Sequence, residues 1–200
     1  MYPESLKNLI ESFKMLPGIG EKTAERMAFF ILDTDVENVE FFSESLMDVK
    51  NKIRKCTICN NFTDQEICPI CADKNRNSDV LCIVEDSKKV IMFEKTAVFN
   101  GYYHIIDNLI SPLDGINPED IGLEKLLKRI KNENFKEVII AVRPSIEGET
   151  TSLYIKRILD GMNIKVTRIA SGIPIGADMD YVDPLTLERA MVYTYDIVGK

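Results

Sequence analysis

The four cysteines at positions 56, 59, 68 and 71 constrain the fold of this chain more than any other feature. They form two Cys-x-x-Cys motifs separated by eight residues. Two such motifs bring four thiolates to one point, which is the tetrahedral ligand set of a structural zinc ion. The segment is too short to build its own hydrophobic core, so metal binding has to supply much of its folding energy. We predict one zinc ion per chain, held by Cys56, Cys59, Cys68 and Cys71.

Other uses of these cysteines are less consistent with the pattern. A lone Cys-x-x-Cys motif can be a redox site, but two in tandem without a strand-then-helix setting argue against one. Two disulfides would need an oxidising compartment. A closed set of four thiolates leaves no open coordination position, so we expect a structural and not a catalytic zinc. The fifth cysteine, Cys82, lies in an apolar run and is predicted to be a buried, inert thiol.

Charge and hydropathy exclude several classes of protein. A formal net charge of −7 argues against a surface covered in DNA-binding charge, so any nucleic-acid contact has to be local. No apolar run reaches membrane-spanning length, and residues 1–7 lack the basic region and apolar core of a signal peptide. Together with a thiolate metal site, these features lead us to expect a cytoplasmic protein without a membrane partner.

The chain begins with the pattern of a helix-hairpin-helix module. Apolar residues at helical spacing predict a helix over residues 4–14, and a second helix begins near Glu21 after the turn at residues 16–20. Glycines in that turn, Gly18 and Gly20, let the backbone approach a phosphate at a helix N-terminus.

Lys22 and Arg26 follow on one face of the second helix and would flank the same phosphates without reading sequence. The alternative is a packing corner whose charges are only solvated, because residues 1–32 carry four basic and four acidic side chains. A third helix is predicted over residues 36–53, with an apolar stripe that faces either a core or an interface. The cations of residues 50–55 at its end are either a phosphate-facing patch or an offset to the helix dipole.

After a polar segment at residues 72–79, interpreted as a linker, the pattern changes to alternating strands and helices. This alternation predicts a mainly parallel sheet with helices on both faces. The predicted strands are residues 80–84, 102–106, 138–142 and 164–170; helices are predicted at residues 87–94 and around Leu126 and Leu159, and a long loop at residues 111–120.

Function in such a sheet gathers at the carboxyl ends of the strands, where Glu85 and residues 143–149 are expected. Toprim domains hold magnesium there with a glutamate after one strand and an Asp-x-Asp pair after another, since magnesium prefers oxygen ligands. Arg143 and Ser145 stand where those aspartates would be, and an arginine repels a divalent cation. The Asp-x-Asp at residues 178–180 lies well past the last strand, so we do not count it as this motif.

The order of motifs along nearly the whole chain resembles the RecR family of bacterial recombination mediators. The segments that carry this resemblance are Leu16-Pro17-Gly18-Ile19-Gly20, the cysteine motifs, Ser111-Pro112-Leu113-Asp114-Gly115, Glu147-Gly148-Glu149-Thr150 and Gly172-Ile173-Pro174-Ile175-Gly176. The resemblance implies an α+β protein of four parts: a helix-hairpin-helix region (1–54), a four-cysteine zinc finger (55–72), an α/β Toprim domain (79–174) and a C-terminal segment in oligomer contacts (175–200). Two departures are Arg143, where the family usually has Asn, and Ala177, where it has a second Gly.

The resemblance also implies a function. RecR proteins are not enzymes; they act with RecO, and in some settings RecF, to load RecA onto single-stranded DNA at gaps. A ring-like homo-oligomer would bind gapped DNA or single-/double-strand junctions without sequence preference through Lys22, Arg26, Gly18 and Gly20. The acidic residues Glu85, Glu147 and Glu149 would form a patch for a basic partner such as RecO.

Two other classes remain open from the sequence. One is a Toprim-type, magnesium-dependent enzyme acting on nucleic acid, against which the replacement of the Asp-x-Asp pair argues. The other is a structural zinc scaffold that does not touch nucleic acid. His104, which is the single histidine of the chain, lies in an apolar run and is predicted to be a packed core residue and not a ligand.

Overall fold

The computed structural model describes residues 2–170 and 172–194. The chain divides into two compact units, residues 1–53 and residues 54–200. Among the helices of the described residues, none combines the length and the apolar character needed to cross a membrane.

The first unit contains the predicted helical hairpin. Helix α1 (Glu4–Lys14) packs against helix α2 (Glu21–Leu32). The alanines of α2 are small enough to let the two helices approach closely. The buried residues between them are Ile10, Phe13, Ala24 and Ala28.

Helix α3 (Val36–Lys52) has an apolar stripe but no buried residue in the described chain. Phe42, Leu46 and Val49 of this stripe keep 44%, 58% and 58% of their exposure. A side chain of this kind gains about 1.5–3 kcal/mol when it is fully buried. Against the described residues, the stripe therefore stays largely exposed, and its use as an interface stays a prediction.

The second unit begins with the zinc finger. Strands β1 (Arg54–Lys55) and β2 (Phe62–Thr63) pair antiparallel, and a single helical turn, α4 (Pro69–Ala72), follows. Cys68 caps this turn because its side chain accepts a hydrogen bond from the Cys71 N–H. The finger thus consists of a short hairpin and a turn, with the cysteines at their ends.

Four strands of the described chain form the predicted parallel sheet, in the order β4-β3-β5-β6. They are β3 (Val80–Val84), β4 (Tyr102–Ile105), β5 (Glu137–Ala141) and β6 (Lys165–Arg168). Val84 pairs with Ala141, so the residues that follow β3 and β5 lie at the same edge of the sheet. The fold class predicted from the sequence is confirmed.

Helices cover both faces of this sheet. They are α5 (Ser87–Thr96), α6 (Leu123–Glu133) and α7 (Ile146–Leu159). Leu81 and Ile140 belong to a core with the buried residues of α6 and α7, whereas Cys82 and Val84 pack with Val90 of α5. The alternation along β3 divides its apolar side chains between two cores, as in a doubly covered sheet.

The segment interpreted as a linker is anchored. Arg76 keeps only 9% of its side-chain exposure, pairs with Glu94 and donates from Nη1 to the Gly101 carbonyl at 2.7 Å. Its guanidinium also lies over the Tyr103 ring, 5.9 Å from the centroid. The segment thus connects the finger to the sheet but is fixed to both α5 and β4, which its polar composition did not reveal because a long cationic side chain can be buried along its stem.

Other boundaries differ in detail. Helix α5 continues to Thr96, and the predicted long loop contains two short 3-10 helices, Pro112–Asp114 and Pro118–Ile121. Helix α8 (Pro184–Val192) lies in the predicted C-terminal segment, whose last six residues are outside the described part of the chain.

Candidate metal centre, hairpin and acidic edge

The four cysteines predicted to bind zinc meet in the finger. Their Sγ atoms all lie within 4.8 Å of one another. Three of the cysteines are buried, and Cys71 is partly buried. The N–H groups of Asn61 and Cys68 donate to the Sγ atoms of Cys59 and Cys56 at 3.4 and 3.3 Å. Such bonds favour the thiolate form that binds a metal.

This donor set fits a zinc ion. At such separations four thiolates repel one another, and the hydrogen bond with Cys68 raises the pKa of Cys59 to about 12. A cation among the sulfur atoms removes this obstacle to ionisation. Tetrahedral zinc with Zn–S bonds of about 2.3 Å sets its sulfur atoms about 3.8 Å apart; Cys59 Sγ and Cys68 Sγ are 3.5 Å apart. The protein therefore carries one structural zinc.

The finger is joined to the sheet by hydrogen bonds that the sequence did not suggest. The Ile105 N–H donates to the Cys59 carbonyl at 2.8 Å, and Asn60 Nδ2 donates to the Ile105 carbonyl at 2.9 Å. Lys125 Nζ donates to Asn60 Oδ1 at 2.5 Å. Asn60 has φ 65°, which Asn tolerates better than most residues. The cysteine loop thereby also covers the end of edge strand β4.

The hairpin presents an open helix N-terminus. Gly18 has φ +82°, where other residues are strained. Gly20 has an ordinary φ of −90° and lies at the N-cap of α2, where an added Cβ would meet nothing within 4 Å. Helix α2 has no side-chain cap, so amide groups of its first turn remain open to a ligand. Local geometry accounts for glycine at position 18, but not at position 20.

The two predicted DNA-contacting cations are exposed on α2. Within residues 2–170 and 172–194, neither Lys22 nor Arg26 takes part in an ion pair. Lys14 differs, because it pairs with Glu11 at 2.8 Å and with Glu21 at 2.6 Å. Lys22 and Arg26 therefore keep their charge available to an external anion.

The cations of residues 50–55 are less available. Lys50 and Lys52 lie in the last turn of α3, where positive charge complements the helix dipole. Lys52 pairs with Asp48 at 2.5 Å, and Lys55 pairs with Asp107. These contacts favour the dipole interpretation over the phosphate-facing patch.

Glu85 lies at the carboxyl edge of the sheet, as predicted, and it has an internal partner. Arg143 Nε donates to Glu85 Oε2 at 2.7 Å, and the Arg143 N–H donates to Oε1. The Glu85 side chain keeps 10% of its exposure, whereas Arg143 keeps 63%. The carboxylate is thus bound on both oxygens by one residue of the loop that follows β5.

Glu147 and Gly148 lie at the start of α7 beside this pair. The Ser145 hydroxyl donates to Glu147 Oε2 at 2.6 Å, and this bond lowers the pKa of Glu147, with a smaller contribution from the Arg143 charge. A Cβ on Gly148 would lie 1.9 Å from the Arg143 carbonyl oxygen. Glycine in the Glu-Gly-Glu segment is therefore required by the close approach of α7 to the loop.

Glu149 is also paired within the chain. Arg168 of β6 contacts its carboxylate, and Arg189 of α8 lies 3.8 Å away. Two of the three glutamates in the predicted acidic patch, Glu85 and Glu149, thus already have arginine partners. The patch is less negative than the sequence suggests. Nothing local in the sequence marks Arg168 and Arg189 as these partners.

Other residues singled out from the sequence lie away from this edge or inside the core. Cys82 is buried, and burial raises its pKa to about 12, so an inert thiol is expected. His104 has no exposed surface, and neither ring nitrogen has a hydrogen-bond partner among the described residues. Asp178 and Asp180 are exposed in and before the 3-10 helix Met179–Tyr181.

Comparison with protein-family models finds four matches in sequence order. Residues 6–50 match the RecR helix-hairpin-helix, and residues 53–73 match the RecR four-cysteine zinc finger domain. Residues 79–170 match the Toprim domain, and residues 172–193 match the RecR C-terminal region. The finger match contains all four clustered cysteines, and the Toprim match contains the acidic edge.

Proposed function

The chain belongs to the RecR family, and we propose that it binds DNA with RecO, and in some settings RecF, to load RecA at single-stranded gaps. Its family supports a role in DNA repair and recombination, and we propose that it acts there as a mediator and not as an enzyme. The helix-hairpin-helix and zinc finger support DNA binding. This role is carried out in the cytoplasm in bacteria.

The observation that carries the DNA-binding proposal is the exposed, unpaired state of Lys22 and Arg26 in the described chain. They lie in the first turns of α2, after the N-cap glycine Gly20 and without a side-chain cap. A phosphate at this N-terminus would meet open amide groups, the positive helix end and two cations. Contacts of this kind go to the DNA backbone, so binding is expected to be independent of sequence.

The test is DNA affinity against salt concentration for wild type and a Lys22→Ala/Arg26→Ala double variant, on gapped duplex DNA. The salt slope is the change in the logarithm of the binding constant with the logarithm of the salt concentration. Each lost phosphate contact should lower the magnitude of this slope by about 0.7–0.9, so the slope of the double variant should be smaller by up to about 2. Lys7→Ala is the control, because Lys7 is exposed on α1 of the same unit and its loss also removes one positive charge. It is compared with the single variant Lys22→Ala, which removes the same charge from α2. Circular dichroism and light scattering check fold and assembly.

An unchanged affinity and salt slope in a folded, correctly assembled double variant would mean that the hairpin is a packing corner. Equal losses for Lys7→Ala and Lys22→Ala would show that net charge and not position decides binding. Absence of DNA binding by wild type at any salt would favour the structural zinc scaffold.

Oligomerisation is the second part of the proposal. The exposed apolar stripe of α3 supports a self-association surface, since large apolar patches are unusual on monomers. A ring of several chains would sum weak contacts, because linked sites raise effective concentration. Size-exclusion chromatography with light scattering tests this, with Leu46→Glu expected to lower the oligomer mass. Lys131→Glu, an exposed change on α6, is the control.

Glu147 is the strongest candidate for contact with RecO. Its carboxylate is held by Ser145 and not by an arginine, whereas Glu85 and Glu149 have arginine partners. Charge reversal in Glu147→Lys should therefore slow association with RecO more than Glu124→Lys on α6 does. RecO binding that is equal in both variants would remove Glu147 from the proposal.

We also propose that the acidic edge is a binding surface and not a catalyst. Arg143 and Ser145 follow β5, where a magnesium-dependent Toprim enzyme would need acidic ligands. Wild type should therefore show no magnesium-dependent cleavage or synthesis of nucleic acid. Cleavage that is lost in Glu85→Gln would establish the enzymatic alternative.

A further inference from the structure

While Arg143 is bound to Glu85, the carboxyl edge of the Toprim sheet does not fit a divalent cation. Magnesium requires near-octahedral coordination by oxygen and usually takes one or two carboxylates with water or phosphate. In the part of the chain that the structure describes, the cysteine set is the one group of at least three acidic, histidine or cysteine side chains that converges as a possible metal site. The edge carboxylates Glu85, Glu147 and Glu149 do not converge in this way.

Arg143 fills the position that a cation would take on Glu85. Its guanidinium and its backbone N–H each bond one carboxylate oxygen. With 10% of its side chain exposed, Glu85 has lost most of its hydration and needs compensation by charge or hydrogen bonds. A guanidinium supplies both.

The loop around Arg143 is held in place from the other side. The Ser145 N–H donates to the Arg143 carbonyl at 2.9 Å. Helix α7 comes so close to that carbonyl that position 148 has no room for a Cβ. The Arg143 backbone is therefore fixed with its N–H toward Glu85, while its side chain keeps 63% of its exposure.

We propose that Arg143 is a tethered cation that replaces the divalent metal at this edge and keeps magnesium away from Glu85. A metal ion could reach Glu85 only by displacing the guanidinium and then lying beside its charge. Because the cation is part of the chain, its local concentration does not depend on the magnesium concentration of the cell. The inference depends on the Glu85 contact and on neither DNA nor RecO binding.

The experiment compares wild type, Arg143→Ala and Arg157→Ala in Mn²⁺ binding by electron paramagnetic resonance and in thermal unfolding. Arg157 is exposed on α7 and has no ion pair among the described residues, so its loss removes the same charge elsewhere in the unit. We expect Arg143→Ala alone to gain a Mn²⁺ site, at least about tenfold tighter than any site of wild type. Mn²⁺ or methylguanidinium, at constant ionic strength, should raise the Tm of this variant alone.

Adding Glu85→Gln to Arg143→Ala should abolish the new site. Wild type that binds Mn²⁺ as tightly as Arg143→Ala, with binding lost in Glu85→Gln, would overturn the proposal. So would an Arg143→Ala variant that responds to neither cation, because Glu85 would then need no counter-charge.

If Arg143→Ala does not fold, wild type provides the decisive measurement. In protein labelled with ¹⁵N-arginine, the Arg143 Nε–H should exchange slowly with water and should not change when Mg²⁺ is added. Fast exchange of this proton, or its release by Mg²⁺, contradicts the proposal. The Arg143 signal is assigned by its disappearance from the spectrum of Arg143→Lys, a variant that keeps the positive charge.

Discussion

Protonation of His104 should destabilise the second unit below neutral pH. The side chain is fully buried on β4, and both ring nitrogens lack a hydrogen-bond partner among the described residues. Burial is the main cause that lowers the pKa of His104 to about 3; the nearby Arg129 and Lys125 charges contribute to this shift, and Asp107 opposes it. The unfolded chain should titrate near the ordinary value of about 6.5.

The sign and size follow from proton linkage. Between pH 6.5 and 3 the unfolded state binds a proton that the folded state excludes, so stability is complete above pH 6.5 and falls as the pH is lowered. One pH unit corresponds to about 1.36 kcal/mol. From pH 7 to pH 5 the loss amounts to about 2 kcal/mol, or about 4–8 °C in Tm for a unit of this size.

The assay is urea unfolding of wild type and His104→Leu at pH 7, 6 and 5, with zinc content measured at each pH. Since the chain has a single histidine, the variant removes the only imidazole that titrates in this window. Subtracting the two curves cancels protonation of the zinc thiolates and the carboxylates. At pH 7 His104→Leu should be as stable as wild type or more stable by about 1 kcal/mol, because no hydrogen bond is lost.

The difference between wild type and His104→Leu should grow steadily as the pH falls from 7 to 5. Parallel curves in this window would refute the argument, since His104 would then be equally protonated in both states. A loss of about 2 kcal/mol or more in His104→Leu at pH 7 would show that a ring nitrogen is hydrogen-bonded, for example to water.

Two further predictions concern the finger and the acidic edge. Cys59→Ser should lose zinc and lower the free energy of unfolding by more than about 3 kcal/mol, as measured by metal analysis and urea unfolding; purified wild type with free thiols and no zinc would contradict this. Gly148→Ala should cost about 2–4 kcal/mol, because the new methyl lies 1.9 Å from a backbone oxygen. Gly172→Ala, where a Cβ meets nothing within 4 Å, should change stability by less than about 0.5 kcal/mol, and equal effects would refute the clash.

The sequence by itself determined the elements whose signal is local. The spacing of the cysteines predicted the zinc ligands, and the apolar runs predicted strands such as Val80–Val84 with the observed bounds. The order of motifs identified the family. Each of these signals depends on neighbours a few residues apart, which share a turn, a strand or a metal ion whatever the rest of the chain does.

Only the tertiary structure decided how charge and burial are distributed. Arg143 meets Glu85 across 58 residues of sequence, and no local periodicity relates the two. The same holds for Arg168 and Glu149. It also holds for Arg76, which belongs to a polar segment and yet pairs with Glu94 through a buried side chain. Conversely, α3 has a regular apolar stripe, yet no buried residue in the described chain. A pattern shows which side chains can be buried, whereas the packing of distant elements decides which charges meet and which apolar faces find a partner.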